Sequence, residues 1–201
     1  DTLINTTSKF AQLNNKRMSG KVLIRTPSGG NRGYGPIHSQ SLEKLFFGWP
    51  EISVYALNRL CCPKKTFEQI FFEKSKVKLL IENKIDYTKN LYENIEIKKK
   101  GFELKNINDK ISLSILKNHE ENKHPEILFC CYGGVVNEVI DAAYNLMIEQ
   151  EISSSIFIPT KISPIDDTLI KEIKKINFKK IIIVEDGYAS CGWGSHLITS
   201  L

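Results

Sequence analysis

Short apolar runs of strand length alternate along this chain with segments of helical period, and that alternation restricts the fold more than any other feature. Lys21 to Arg25, Ile52 to Leu57 and Val77 to Ile81 read as strands, and a helix spans Pro63 to about Lys74 with Phe67, Ile70 and Phe71 inward. Residues 2–14 suit a helix ending near Asn14-Asn15, and another is predicted from about Ser39 with Leu42, Leu45 and Phe46 on one face. In the second half, Ile127 to Tyr132, Ser155 to Ile158 and Lys180 to Val184 are strands. Val135 to Gln150 is a helix with one apolar stripe, and Asp166 or Asp167 caps another that carries Leu169, Ile170, Ile173 and Ile176. The pattern predicts an α/β fold of mainly parallel sheets covered by helices. Lys180 to Val184 is so wholly apolar that both faces should be covered. Ile111 to Leu116 alternates apolar residues with serine and reads as a half-exposed edge strand. From Lys84 to Asp109 the periodicity dissolves into Asn, Lys and Glu, so a linker is expected there, with Lys98-Lys99-Lys100 as a solvated surface.

Composition excludes the extreme classes. Over 201 residues, 41% are hydrophobic and 25% charged, the balance of one ordinary globular protein or two small domains. The longest apolar runs, such as Ile181 to Val184, fall far short of the roughly 20 residues that cross a bilayer, so no membrane association is expected. Lys and Arg number 28 against 23 acids, and the net charge of +5 is spread along the chain, which does not indicate nucleic acid. The five cysteines form two adjacent pairs, Cys61-Cys62 and Cys130-Cys131, plus Cys191. That pattern suits reduced thiols in a cytoplasmic compartment or an organelle matrix. The chain opens at Asp1 without an initiator Met and stops at Leu201 within a segment that reads as structured, so it is expected to be an excised piece.

Two segments have the make-up of a site. Gly29-Gly30-Asn31-Arg32-Gly33-Tyr34-Gly35-Pro36-Ile37-His38-Ser39-Gln40-Ser41 follows a strand and leads toward a helix. Its glycines permit close backbone approach, Arg32 can meet an anion, and His38 can move a proton near neutral pH. No Lys-Ser or Lys-Thr follows the glycines, and their spacing is not that of a dinucleotide loop, so the segment is either a ligand loop or a structural turn with a surface histidine. Glu185-Asp186-Gly187-Tyr188 with Gly192-Trp193-Gly194 lies just past an apolar strand, where open sheets bind ligands. Two adjacent acids make a poor cation site without further oxygens, which favours a structural or interface role. His119, His124 and His196 have no partner at zinc-ligand spacing, and no nucleophile elbow is present.

The block Arg25-Thr26-Pro27 through His38-Ser39-Gln40-Ser41-Leu42-Glu43 closely resembles the beta subunit of the thiamine-diphosphate-dependent dehydrogenase of 2-oxo-acid dehydrogenase complexes. Gly48-Trp49-Pro50, Leu80 to Lys84, Tyr132-Gly133, Ser163 to Asp166, Val184 to Gly187 and Gly192-Trp193-Gly194 follow in that family's order. The later motifs are shared with transketolases and deoxyxylulose-phosphate synthases. The resemblance implies that residues 1–85 are the latter part of a pyrimidine-binding domain, 86–107 a linker and 108–201 a truncated transketolase C-terminal-type domain. It implies decarboxylation of a 2-oxo acid, of the pyruvate or branched-chain type, and acyl transfer to a lipoyl carrier. His38 matches the catalytic histidine, within an active-site loop that includes Gly30, Arg32, Tyr34, Ser39 and Gln40.

The same resemblance places the cofactor-binding glutamate and stacking aromatic upstream of Asp1, and the magnesium–diphosphate motif on an alpha subunit or alpha half. This chain alone is therefore expected to be inactive. Further partners implied are a second beta chain, giving a heterotetramer, and a lipoyl acyltransferase core. A potassium ion is implied at the backbone of Val22, Phe71, Lys74 and Lys76. Two other classes fit the sequence: a sugar-phosphate enzyme of the transketolase or deoxyxylulose-phosphate synthase kind, and a non-catalytic assembly module.

Overall fold

The computed structural model describes residues 1–14, 20–30, 33–107, 113–118 and 124–201. Among the described residues the strands are β1 (Val22–Ser28), β2 (Ile52–Ala56), β3 (Val77–Asn83), β4 (Glu103–Ile107), β5 (Leu113–Lys117), β6 (Ile127–Cys131), β7 (Ser154–Pro159), β8 (Lys161–Ser163) and β9 (Lys180–Val184). The helices are α1 (Phe10–Leu13), α2 (Gly35–His38), α3 (Pro63–Phe72), α4 (Asn94–Lys99), α5 (Val136–Gln150), α6 (Asp167–Lys175) and α7 (Trp193–Ser200). They build two sheets, one in the order β1-β3-β2-β8 and the other β4-β5-β7-β6-β9. In the first, β1, β3 and β2 are parallel and β8 is antiparallel to β2. In the second, β7, β6 and β9 are parallel, while β5 runs antiparallel to both β4 and β7.

A single apolar core joins the sheets. It takes Ile52, Val54, Val77 and Leu79 from the first sheet and Leu128, Cys130 and Phe157 from the second, and α6 and α7 add Leu169, Ile173, Trp193 and Leu197. Side chains alternate across a strand, so the neighbours of these residues point to the opposite faces. Phe129, Cys131 and Ile156 meet Val136, Val139 and Ile140 of α5, and Tyr55 and Leu80 meet Ile70 of α3. The expected cap of α6 is present, with Asp166 accepting from the Thr168 N–H at 2.7 Å.

Several elements differ from the sequence expectation for identifiable reasons. The helix expected from Ser39 is a single 3-10 turn, Glu43–Phe46, and Leu42 and Leu45 are 47% and 56% exposed. The stretch before Gly48 and Pro50 is too short for cooperative helix growth. The helix expected over residues 2–14 is broken into a π-helical turn, Thr2–Thr7, and the one-turn α1, although Leu3 and Ile4 do reach the core. On α3, Phe71 is 71% exposed instead of inward, and its ring packs edge-on against Phe72 at 5.4 Å.

The segment expected to be an irregular linker, 86–107, carries α4 and β4. Its polar composition hides two anchors, Ile97 and Phe102, both buried beside α5. A capping box between Glu93 and Glu96 starts α4. Because β4 takes the sheet edge, β5 is an interior strand with Leu113 through Leu116 buried. The opposite edge is β9, which among the described residues pairs only with β6, and its residues 181–184 are half-buried instead of fully covered.

Strand β8 comes from the second half of the chain yet completes the first sheet, and its Ile162 is wholly buried in the shared core. Ile162→Ala removes that anchor and is expected to cost about 2–5 kcal/mol. Urea unfolding followed by both far-ultraviolet circular dichroism and tryptophan fluorescence should give one shifted transition, since Trp49 and Trp193 both border this core. Separate transitions for the two probes would show that the sheets unfold independently.

Candidate active site

The carboxyl ends of the parallel strands point to one region, where the loops after β1, β3, β6 and β9 meet. The loop after β1 begins at Gly29, which has φ = +87° and leaves no room for a side chain, since a Cβ there would lie 2.6 Å from Asn83 Nδ2. The loop is closed by the Gly29 N–H donating to the Gln40 carbonyl at 3.4 Å. Gly30 lies against Ser39, and Gln40 Nε2 donates to the Ile37 carbonyl at 3.1 Å. Pro36 in its first turn suits α2 to the short helix it forms.

Helix α2 presents Tyr34, Ile37 and His38 to solvent. Lys84, just past β3, donates through Nζ to the His38 carbonyl, and its ammonium lies 5.7 Å from the Tyr34 ring centroid. The backbone of His38 is thus held from a neighbouring strand while its imidazole faces outward, an arrangement that lets the ring meet a substrate and transfer a proton. His38, Tyr34, Ser39, Gln40 and Gly30 therefore share one loop. Arg32 lies outside the described residues, as does His119.

Asn83 holds the region together. Its Oδ1 accepts from the Ile85 N–H at 3.0 Å, and its amide fits between Gly29 and Gly134, each of which would collide with it if given a Cβ. On one side of Asn83 is a cavity of about 10 Å³, lined also by Ser28, Glu43, Tyr132 and Asp186, with room for about one water. On the other is a cavity of about 260 Å³, bordered by Asn58, Phe67, Asp86 and the paired Arg25 and Glu82. The Arg25–Glu82 pair is bidentate, with contacts of 2.6 and 3.0 Å, and Tyr87 donates to the same carboxylate at 3.1 Å.

Glu43 is the least expected member. It is only 4% exposed; Oε1 accepts from the Tyr132 hydroxyl at 3.0 Å, while Oε2 is buried without a partner. Burial raises its pKa above the ordinary glutamate value, the hydroxyl donor opposes the rise, and the nearby Asp186 and Glu185 add to it. Burial likewise raises the pKa of Tyr132, whose ring meets Trp193 edge-on at 5.2 Å.

The second sequence candidate resolves into a helix cap. Glu185 accepts from the Trp193 and Gly194 N–H groups at 2.8 and 3.0 Å, at the start of α7. A carboxylate is well placed at a helix N-terminus, and both of its oxygens are engaged. Among the described residues no group of three or more His, Cys, Asp or Glu could hold a metal ion. Glu185, with both oxygens committed to the cap of α7, is not free to take a cation.

Two of the four carbonyls expected to hold potassium already accept hydrogen bonds. The Phe71 carbonyl accepts from Lys21 Nζ at 3.2 Å, and the Lys76 carbonyl accepts from the Val22 N–H at 2.8 Å. The cysteines are all free thiols. Cys61, Cys130 and Cys131 are buried, which raises their pKa values and leaves them poor nucleophiles.

With this geometry in hand, residues 117–201 match the transketolase C-terminal domain family. The fold is transketolase-like. Among solved structures the chain is similar to a split-gene transketolase described as an inactive beta4 tetramer, at 15% identity and a TM-score of 0.57, covering 96% of this chain and 59% of that one. The chain thus spans about three fifths of that relative's length, and at this identity the likeness is one of fold. No curated protein matches the chain.

Because folding raises the proton affinity of Glu43, the native state binds more protons than the unfolded chain between the ordinary glutamate pKa and the raised one. Stability therefore falls as pH rises across that interval. Glu43→Gln keeps an acceptor for Tyr132 and removes the titration. The variant should melt above the parent at neutral pH, with the gap closing in acid. A gap in thermal midpoints that is constant with pH would contradict the burial-driven shift.

Proposed function

We propose that this chain is the beta part of a thiamine-diphosphate-dependent 2-oxo-acid dehydrogenase, which decarboxylates a 2-oxo acid and passes the acyl group to a lipoyl carrier. The observation that carries the proposal is the loop from Gly29 to Ser41. Its sequence has the pattern of that family, and its His38 stands exposed at the carboxyl ends of the first sheet while Lys84 holds its backbone. In this proposal residues 1–85 contribute the latter part of a pyrimidine-binding domain, 86–107 connect the halves, and 108–201 contribute the C-terminal-type domain.

The role assigned to His38 is proton transfer at the mouth of the site, with Tyr34, Ser39, Gln40 and Arg32 shaping the approach of the lipoyl arm. Thiamine diphosphate and magnesium are assigned to the complete assembly, held mainly by an alpha subunit or alpha half, as the resemblance of the sequence implies. The structural relative is described as inactive when it is a tetramer of beta chains, which agrees with a chain that needs such a partner. A second beta chain and a lipoyl acyltransferase core complete the proposed assembly, in cytoplasm or an organelle matrix.

A sugar-phosphate reaction of the transketolase kind is the second reading, favoured by the matched C-terminal domain and by that relative's name. The complete enzyme, assembled with its alpha partner, separates the two. Turnover that requires a lipoylated carrier supports the dehydrogenase, and turnover with sugar phosphates alone overturns it. His38→Ala in that assembly should lower turnover by about 100-fold or more while leaving the thermal midpoint nearly unchanged, since an exposed loop histidine contributes little packing. Unchanged turnover would remove His38 from the mechanism.

A further inference from the structure

The last turn of α3 ends with backbone carbonyls that have no partner within the helix and carry the negative end of its dipole. The helix is closed by the Glu73 N–H, which donates to the Gln69 and Ile70 carbonyls at 3.0 and 3.3 Å. The next carbonyl, that of Phe71, receives a cation instead. Lys21, one residue ahead of β1, donates from Nζ at 3.2 Å.

Other charges around this helix end reinforce that assignment. Lys78 on β3 is 2% exposed, its Nζ has no hydrogen-bond partner, and it lies near enough to Lys21 and Lys76 for their charges to act on it. The carboxylate of Glu73, the acid closest to α3's end in the chain, is already engaged by the Tyr55 hydroxyl at 3.1 Å and by Lys161 at 3.2 Å. A free cation entering here would meet two or three ammonium groups, one carbonyl already donated to, and a carboxylate already paired. Like charges in such proximity repel, most strongly where one of them is shut away from water.

We infer that the Lys21 ammonium takes the place of a bound monovalent cation at the C-terminal end of α3, so that the start of β1 is tied to α3 by a charged hydrogen bond and the protein needs no potassium there. An ammonium carries the same single charge as an alkali cation and binds carbonyl oxygen by donated protons. Being part of the chain, it is present at every salt composition. The inference concerns this helix end only and holds whichever reaction the assembled enzyme performs.

The test is thermal unfolding of the whole protein in potassium, sodium and choline chloride at matched ionic strength, for the parent, Lys21→Met and Lys21→Arg. The parent should have the same midpoint in all three salts. Lys21→Met should melt lower by about 2–4 °C, the size of shift a loss of one stabilising contact gives in a chain of this length, and Lys21→Arg should retain most of the parent's midpoint. A parent stabilised by potassium over both sodium and choline would overturn the inference, and so would a Lys21→Met midpoint equal to the parent's.

Discussion

The antiparallel pairing of β8 with β2 is the constraint on which the rest of the molecule depends. Val54 opposite Ser163, and Tyr55 opposite Lys161, join the two halves of the chain by backbone hydrogen bonding and not by side-chain contact alone. Backbone and side-chain contacts then extend the seam. The Ala56 N–H donates to the Thr160 carbonyl at 2.8 Å, Cys61 and Thr160 share a hydrogen bond at 3.0 Å, and Lys161 reaches Glu73. Because the seam fixes one sheet against the other, contacts between their far ends can be specific. Glu43 from the first half finds Tyr132 in the second, and Asp86 finds Asn137 at 3.0 Å.

Open α/β sheets bind ligands beyond the carboxyl ends of their strands, and here two sheets bring such ends together. Asn83 closes β3, Gly29 leaves β1, and Gly134 begins the turn into α5, so one amide side chain sets the spacing of three loops. The His38 loop is therefore attached at both of its ends, through Gly29 and Gln40, while residues 33–38 stay exposed.

Much of the architecture was legible in the sequence because period and strand length carry it: β2, β3, β6, β7, α5 and α6 lie close to where apolar spacing puts them. The differences share a cause. Period reports a residue's own neighbours, whereas edge or interior position depends on what another segment supplies. The β4 strand comes from polar sequence that looks structureless, and its presence makes β5 an interior strand, with Ser114 buried. Conversely, β9 is apolar from Ile181 to Val184 but, among the described residues, has no strand beyond it. At the candidate site, the glycine-rich loop and its histidine were visible as composition, but Glu43 was not, because a glutamate one residue past a leucine gives no sign that it will be buried. Its one available signal was its place at the end of the His-Ser-Gln block. Lys21 was equally silent, since only the fold brings it to a helix that begins more than forty residues later.

The cap on α7 has a consequence for how this region can change over time. Glu185 fills the space that a side chain at Gly192 would need, and it crowds Gly194 as well. A larger residue at either glycine must displace the carboxylate, and a displaced carboxylate leaves the first N–H groups of α7 without their acceptor. A shorter acid at 185 frees the space but no longer spans the gap. The three positions are thus coupled, and a change at one alters which residues the other two can carry.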